Sequence, residues 1–362
     1  MKVALVHDYL VRFGGAERVL LALSEIFPQA PIFTLLYNHK EMNPFFKKAD
    51  IRTSFLQKIP LSQSYYRGLA PLMPSAVEDL DLRDYDLIIS SASAFAKGLV
   101  LRPKTIHICY CHSPTRFLWD WTHPYQEKSS FIKKGVLHYL RLWDRSAANR
   151  VDYFLANSET TAQRIKKYYG RESKVIYPPV NLCKKEQGDV DTLKEEYFLI
   201  VSQLSPYKRI DLAIDAFNKL ELPLVIIGQG RDYKRLKKMA GPNIHLMGWL
   251  PDDLTRSYYK NCAGFIFPGE DDFGITVVEA MSHGKPILAY RKGGATETMI
   301  EGVTGEFFNE PVTESLVDGI RRLRGKEYSL KEIQERAEKF SEDEFKKKFK
   351  QTLIDILEKK SF

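Results

Sequence analysis

The feature that most narrows the fold is an alternation of short apolar runs with amphipathic segments, carried along most of the chain. KVALVH (2–7) is a strand-length apolar run; after a loop holding Gly14-Gly15, AERVLLALSEIF (16–27) carries its apolar residues at helical spacing. PIFTLL (31–36), DLIISS (86–91), TIHICY (105–110) and VDYFLAN (151–157) are further strand-like runs. SETTAQRIKKYYG predicts a helix opened by Ser158 and closed by Gly170, and KVIYPPV (174–180) ends the set at a Pro-Pro stop. Residues 181–195 are polar and without apolar period, and read as a linker. The cycle then restarts with YFLIVSQL (197–204), RIDLAIDAFNKL (209–220) and LPLVIIG (222–228), and runs on through AGFIFP (263–268), TVVEAMSHG (276–284) and KPILAY (285–290).

Strands separated by helices of this length form parallel sheets covered on both faces. Two such sets in 362 residues predict an α/β protein of two Rossmann-like, doubly wound domains, at 1–185 and 186–343, facing each other. The last segment, 344–362, contains an amphipathic helix (EFKKKFKQTLIDILEKK) expected to pack back on the first domain.

Charge and cysteine content bound the function. Lys and Arg outnumber Asp and Glu by 54 to 46, giving a net charge of +8, which favours anionic partners: phosphorylated ligands, an acidic membrane surface or nucleic acid. The basic residues are scattered and no nucleic-acid reader motif occurs, so nucleic acid is set aside. Of the four cysteines, Cys109 and Cys111 are expected on opposite sides of one strand; the spacings suggest no zinc site, and reduced thiols in a cytosolic protein are expected. The N-terminus does not read as a signal peptide and no apolar run reaches the ~20 residues of a spanning helix, so any membrane association would be peripheral.

In doubly wound sheets ligands bind beyond the carboxyl ends of the strands, which directs attention to the loops after them. The most informative is PGEDDFGITVVEAMSHGKPILAY (268–290). Pro268-Gly269 breaks an apolar strand; Glu270, Asp271 and Asp272 crowd its end; Gly274 opens a helix whose first N–H groups, from Gly274, Ile275 and Thr276, can bind an anion or hydroxyls. Acidic groups beside such a helix end would repel phosphate but suit sugar and ribose hydroxyls, since a carboxylate accepts two at once. The alternative is that these acids merely complement the helix dipole, with Glu279 on a solvated face. In VSQLSPYKRIDLAIDAF, Lys208 and Arg209 stand where a helix begins after a strand, either as a diphosphate cradle or as a solvated pair.

Residues 197–300 resemble the donor-binding domain of the retaining glycosyltransferases of family 4, which have the GT-B fold. The acid-x7-Glu spacing around Phe-Gly, the EAMSHGKPILAYRKGGATE run and the S-x-L-x-P-x-K-R loop match in order and spacing. HDYL, GGAER, SSASAFAKG and CHSPTRFLWD extend the resemblance more loosely over the N-terminal half. Within the family the chain looks most like the mannosyltransferases of bacterial surface-polysaccharide assembly. The resemblance implies that Glu279 binds ribose hydroxyls, that Asp271 holds or orients the donor sugar, and that Phe273, Gly274 and Ile275 present amides to sugar hydroxyls. It further implies that Thr276 contacts the diphosphate, that Lys208 neutralises it as it leaves, that Gly14 and Gly15 let a loop approach the donor, and that His112 faces the reacting sugar. Two positions depart from the pattern: Asp271 stands where Glu is usual, with Glu270 beside it, and Gln203 where Arg is usual, with Arg209 as a possible compensating cation.

The expected reaction moves a hexose from a nucleoside diphosphate, GDP-mannose by subfamily resemblance with UDP-hexoses left open, to a hydroxyl of a glycan or lipid-linked glycan, with retention. No cofactor and no metal is expected: Lys208 and helix amides would supply the counter-charge, and DLD (79–81) and DVD (189–191) read as loop acids. His7, Asp8, Arg116, Trp119 and Trp121 are candidates for the acceptor or sugar, with a turn cap as the alternative for His7 and Asp8. FIKKGVLHYLRLWDR (131–145) is helical in period, with Lys133, Lys134, Arg141 and Arg145 among apolar residues: either an ordinary core-facing helix or one that lies on an anionic membrane. A cytoplasmic protein, peripheral on the inner face of the cell membrane, is the expected location. Two other readings stay open: a weak or inactive sugar-nucleotide-binding homologue, and a nucleotide-sugar epimerase of the same architecture.

Overall fold

A computed structural model describes residues 1–120, 130–183 and 195–360, so most of the expected linker, the DVD run and Trp121 lie outside the described residues. The chain divides into two compact units. One contains Met1–Pro179 with Phe345–Phe362, the other Val180–Glu344.

The first unit is built on seven parallel strands: β1 (Val3–His7), β2 (Ile32–Thr34), β3 (Ile51–Thr53), β4 (Leu87–Ala92), β5 (Ile106–Cys111), β6 (Tyr153–Ala156) and β7 (Ser173–Val175). Their order is β3-β2-β1-β4-β5-β6-β7. The winding therefore reverses between β1 and β4, which pair in register from Val3 beside Leu87 to His7 beside Ser91. Strands β4 and β5 are buried on both faces, as the near-continuous apolar runs predict. One core packs Ala4, Val6, Ile88, Cys109 and Cys111 together; Leu5, Leu87, Ile89, Ile108 and Tyr110 serve the other face. The expectation that Cys109 and Cys111 lie on opposite sides was wrong: residues two apart share a face of a strand, and Tyr110 between them points the other way. Neither is in a disulfide, and neither are buried Cys262 and exposed Cys183.

Helix Glu159–Tyr169 begins where Ser158 Oγ accepts the Thr161 N–H at 3.0 Å and stops at Gly170, whose φ of 65° is left-handed. The last helix, Glu342–Lys360, buries Phe345, Phe349 and Ile356 in the core beside β1, β4 and β5, with Phe345 edge-on to Tyr110 at 5.8 Å.

The second unit repeats the plan with six parallel strands: β8 (Phe198–Val201), β9 (Leu224–Ile227), β10 (Ile244–Gly248), β11 (Gly264–Phe267), β12 (Ile287–Tyr290) and β13 (Gly305–Phe308). Their order is β10-β9-β8-β11-β12-β13, with the reversal between β8 and β11. Helix Ile210–Leu220 buries six of its residues, from Ile210 to Phe217, under this sheet, with helix Thr313–Arg324 packed alongside. Each sheet thus has one crevice at the carboxyl ends of the strands where successive connections diverge.

Candidate functional site

In the second unit the loops after β8 and β11 border that crevice. Pro206–Lys208 forms one 3-10 turn, and Lys208 Nζ donates to Asp271 Oδ2 at 2.5 Å. The ammonium also lies 5.1 Å from the Tyr207 ring centroid and 5.9 Å from that of Phe267, so apolar faces flank a cation whose side chain is 12% exposed. The loops touch through backbone. A Cβ on Gly269 would fall 2.7 Å from Lys208 Cα, and one on Gly294 2.3 Å from Phe273 Cα. Only glycine fits there, and Gly294 N–H donates to the Asp271 carbonyl at 2.9 Å.

Gly274, at φ 82°, turns the chain into helix Ile275–Ser282, whose start has no side-chain cap. Ile275 and Thr276 are half-buried in its first turn, and Phe273 is buried against Phe340, ring centroids 5.5 Å apart. One turn on, Glu279 Oε2 accepts the Tyr259 hydroxyl at 3.0 Å; the Tyr259 ring is stacked 5.6 Å from His283. Glu270 is half-buried. Gln203 is exposed, and its carbonyl accepts the Ser205 N–H at 2.9 Å. Arg209 takes partners different from those of Lys208: its backbone is left-handed (φ 52°), its Nη2 donates to the Pro311 carbonyl at 3.4 Å, and its Nε lies 3.5 Å from Asp211. A cation, an uncapped helix start and carboxylates on glycine-bound loops together suit an anion flanked by hydroxyls.

The crevice of the first unit is organised differently. Asp8, directly after β1, accepts four backbone N–H groups: Ser93 and Ala94 on Oδ2 at 2.6 and 2.9 Å, Phe95 and Ala96 on Oδ1 at 2.7 and 2.6 Å. Both oxygens are occupied, so the expected acceptor contact gives way to the capping role: Asp8 holds the loop after β4 in place. Beside it, His112 Nε2 is 2.8 Å from Ser91 Oγ, which is 3.1 Å from His7 Nδ1, and His7 Nε2 is 3.2 Å from Glu17 Oε1. Burial, and then the nearby His7, push His112 down to about 3, so its ring is neutral at physiological pH. Gly14 precedes helix Gly15–Ile26 in extended conformation; a Cβ there would sit 3.2 Å from Glu17 Oε2.

Trp119 does not act as an open platform. Its indole N–H donates to Asp144 Oδ2 at 2.8 Å and its ring is stacked on Tyr168 at 5.2 Å. Arg116 opens the short helix Arg116–Trp119 and is half-buried. Asp144 is the hub that sequence reasoning missed. It also accepts from Lys97 Nζ at 2.5 Å, Thr115 Oγ1 at 2.6 Å and the Tyr169 hydroxyl at 2.9 Å, and the Lys97 and Asp144 side chains are 2% and 1% exposed. A signal was present: Asp144 is the one acid in a helix otherwise read as basic, and it falls in line with Leu140 and Ala147 on one face. Among the described residues no three His, Cys, Asp or Glu side chains gather into a metal-holding group.

Two parallel-sheet α/β units with their polar groups at the strand ends define a GT-B architecture. Residues 13–184 match Glycosyltransferase Family 4, and residues 184–340 match the glycosyl transferases group 1. The chain belongs to glycosyltransferase family 4. It is 27% identical over 207 residues to an uncharacterized glycosyltransferase of Methanocaldococcus jannaschii, covering 56% of this chain and 58% of that protein. It is 26% identical over 235 residues to the O-antigen chain mannosyltransferase C of Escherichia coli, covering 59% and 62%. The chain thus spans about three-fifths of the length of these two relatives. Among solved structures, Anabaena HepE in complex with UDP has a TM-score of 0.70 at 18% identity, over 98% of this chain and all of that one; the likeness is one of fold.

Proposed function

We propose that the protein is a retaining hexosyltransferase that moves mannose from GDP-mannose to a hydroxyl of a glycan or lipid-linked glycan in surface-polysaccharide synthesis. The observation that carries this reading is Lys208, held against Asp271 on glycine-packed loops beside the uncapped start of helix Ile275–Ser282. Charge develops on the β-phosphate as the glycosidic bond breaks, and a cation and amides already fixed there stabilise it without reorganising. Asp271, with Glu270 beside it, takes the hexose hydroxyls, and Glu279 those of the ribose. Thr276 and the amides of Phe273, Gly274 and Ile275 complete the donor site. The reaction so drawn needs no metal, since Lys208 and the helix amides provide the counter-charge. The mannosyl choice is supported by the O-antigen mannosyltransferase relative.

For the lipid-linked acceptor we infer peripheral binding to anionic membrane through helix Phe131–Ala148. Its packed face runs from Val136 to Ala148, whereas Phe131 and Ile132 are 90% and 78% exposed beside exposed Lys133 and Lys134. No helix among the described residues is long and apolar enough to cross a membrane.

A thermal-shift panel of nucleoside diphosphates and nucleotide sugars tests the donor. A ligand at 100 times its Kd adds about 2.7 kcal/mol, and GDP and GDP-mannose are expected to give the largest shifts. Transfer to a lipid-linked acceptor with the anomeric configuration kept completes the test. No shift with any nucleotide sugar overturns the reading, and binding without transfer across an acceptor panel supports the inactive homologue instead.

A further inference from the structure

Three strands that neighbour one another in the first sheet bring together His7 at the end of β1, Ser91 one residue before the end of β4 and His112 directly after β5, and helix Gly15–Ile26 brings Glu17 to the far side of His7. The parallel register sets His7 directly beside Ser91 and Ser91 beside Tyr110, two residues before His112. His7 and Ser91 are buried, and Glu17 is 14% exposed. The Tyr110 ring meets that of His112 at 5.2 Å and 60°, bracing it from the side. Glu17, His7 and Ser91 have no part in the donor site proposed above.

The order of donors and acceptors along this row is decided at its end. A carboxylate accepts only, so His7 must donate through Nε2–H to Glu17. We take His7 with its single hydrogen on Nε2: Nδ1 is then bare and accepts the Ser91 O–H, whereas a second hydrogen on Nδ1 would reverse the row. The Ser91 oxygen is left to accept, and the group facing it is His112 Nε2, which therefore carries the hydrogen. We propose that Glu17, His7 and Ser91 are positioning residues that fix His112 as its Nε2–H tautomer and leave Nδ1 as the ring's sole acceptor for a substrate hydroxyl. The substrate part rests on the proposed transferase reading; the tautomer does not. Burial keeps the ring neutral, so the row selects between two uncharged forms and no proton has to cross it. Gly14 belongs to the same device: a side chain there would crowd the Glu17 carboxylate.

The test is long-range 15N NMR of imidazole-labelled full-length protein, with the His112 signals assigned by their loss in His112→Gln. Wild type should show a protonated Nε2 and a bare Nδ1 on His112. Ser91→Ala and Glu17→Leu, which cut the row at its middle and its end, should each give a mixture of tautomers. A wild-type ring protonated on Nδ1, or a His112 spectrum unchanged in both variants, overturns the proposal. Glu17 is partly exposed, so Glu17→Leu serves if the buried variant is poorly folded. In transfer assays, both variants should lose about tenfold in kcat, less than the roughly hundredfold or more of a direct general acid–base effect because they act through His112, with the KM for the nucleotide sugar within about twofold of wild type. A tautomer shift with unchanged kcat overturns the part played in the reaction. If wild type transfers no sugar, the proposed function fails while the NMR result still decides the tautomer.

Discussion

At the ends of β8 and β11 the polar groups are ions that meet in pairs: Lys208 with Asp271, Arg209 with Asp211. At the ends of β1 and β4 they are two imidazole rings and a hydroxyl in a row that ends on Glu17, and the carboxylate directly after β1, Asp8, is spent on backbone amides. Both places are the reversal point of a doubly wound sheet, so topology alone does not set the chemistry. The first unit has its buried ion pair elsewhere, at the loop after β4, where Lys97 and Asp144 are sealed from solvent. Charge left accessible can meet a charged ligand, whereas charge sealed away can only hold structure. The comparison supports the proposed diphosphate site in the second unit and gives the buried ions of the first a scaffolding part.

The largest effect should come from the sealed pair. Asp144→Ala leaves the Lys97 ammonium buried without its partner and strands three further donors, Thr115, Trp119 and Tyr169. A loss of about 4 kcal/mol is expected, the scale for breaking a buried ion pair, read by urea unfolding. The double change Lys97→Met with Asp144→Leu should recover part of it. If Asp144→Ala unfolds like wild type, the pair is not structural and the contrast between the units fails.

Lys208→Ala should do the reverse, sparing stability and striking the reaction. Removing a preorganised stabiliser of developing charge costs about a hundred- to a thousandfold in kcat. A variant with full turnover would remove Lys208 from the leaving-group role and with it the reading of the second crevice.

The contrast was only half legible in the sequence. Alternating strand and helix periods gave both sheets, and the rule that ligands lie beyond strand ends led to Lys208, Asp271 and His112, which follow apolar strands, while the acid-x7-Glu spacing added Glu279. Contacts between distant segments were not legible. Asp144 lies 47 residues from Lys97, and Glu17, His7, Ser91 and His112 become one row only through the register of β1, β4 and β5. Asp8 could have been suspected, since a short acid at a strand end faces a loop of small residues, SSASA, whose amides need partners. The different partners of Arg209 follow from its left-handed backbone, which nothing in a Lys-Arg dipeptide announces.

Acid should separate the units further. Burial pushes His107 to about 4 and His112 to about 3 in the first unit, and His283, less enclosed, to about 4 in the second. Each lies below the ordinary 6.5, so the unfolded chain binds protons that the native chain refuses. Stability contributed by these rings is whole above pH 6.5 and falls as the pH drops toward about 4. The slope is at most about 1.4 kcal/mol per pH unit for each fully buried ring. With two such rings against one, hydrogen exchange between pH 7 and 4 should show protection fading first in the sheet of the first unit. Earlier fading in the second unit would contradict this.

The smallest effect tests whether the accessible carboxylates of the second unit are also held in place. Tyr259 is buried, stacks on His283 and donates at 3.0 Å to Oε2 of Glu279, the carboxylate proposed to take the ribose hydroxyls. Tyr259→Phe keeps the stack and removes only the hydroxyl. The loss should be about 1 kcal/mol, the net worth of one hydrogen bond, and it should appear as about fivefold weaker nucleotide binding with kcat unchanged, because the ribose hydroxyls are held equally before and during bond breaking. Calorimetry with the nucleoside diphosphate separates the two parameters. Affinity unaltered in Tyr259→Phe would mean that Glu279 is oriented by the helix alone, and a fall in kcat instead would place Glu279 nearer the reacting bond than the ribose.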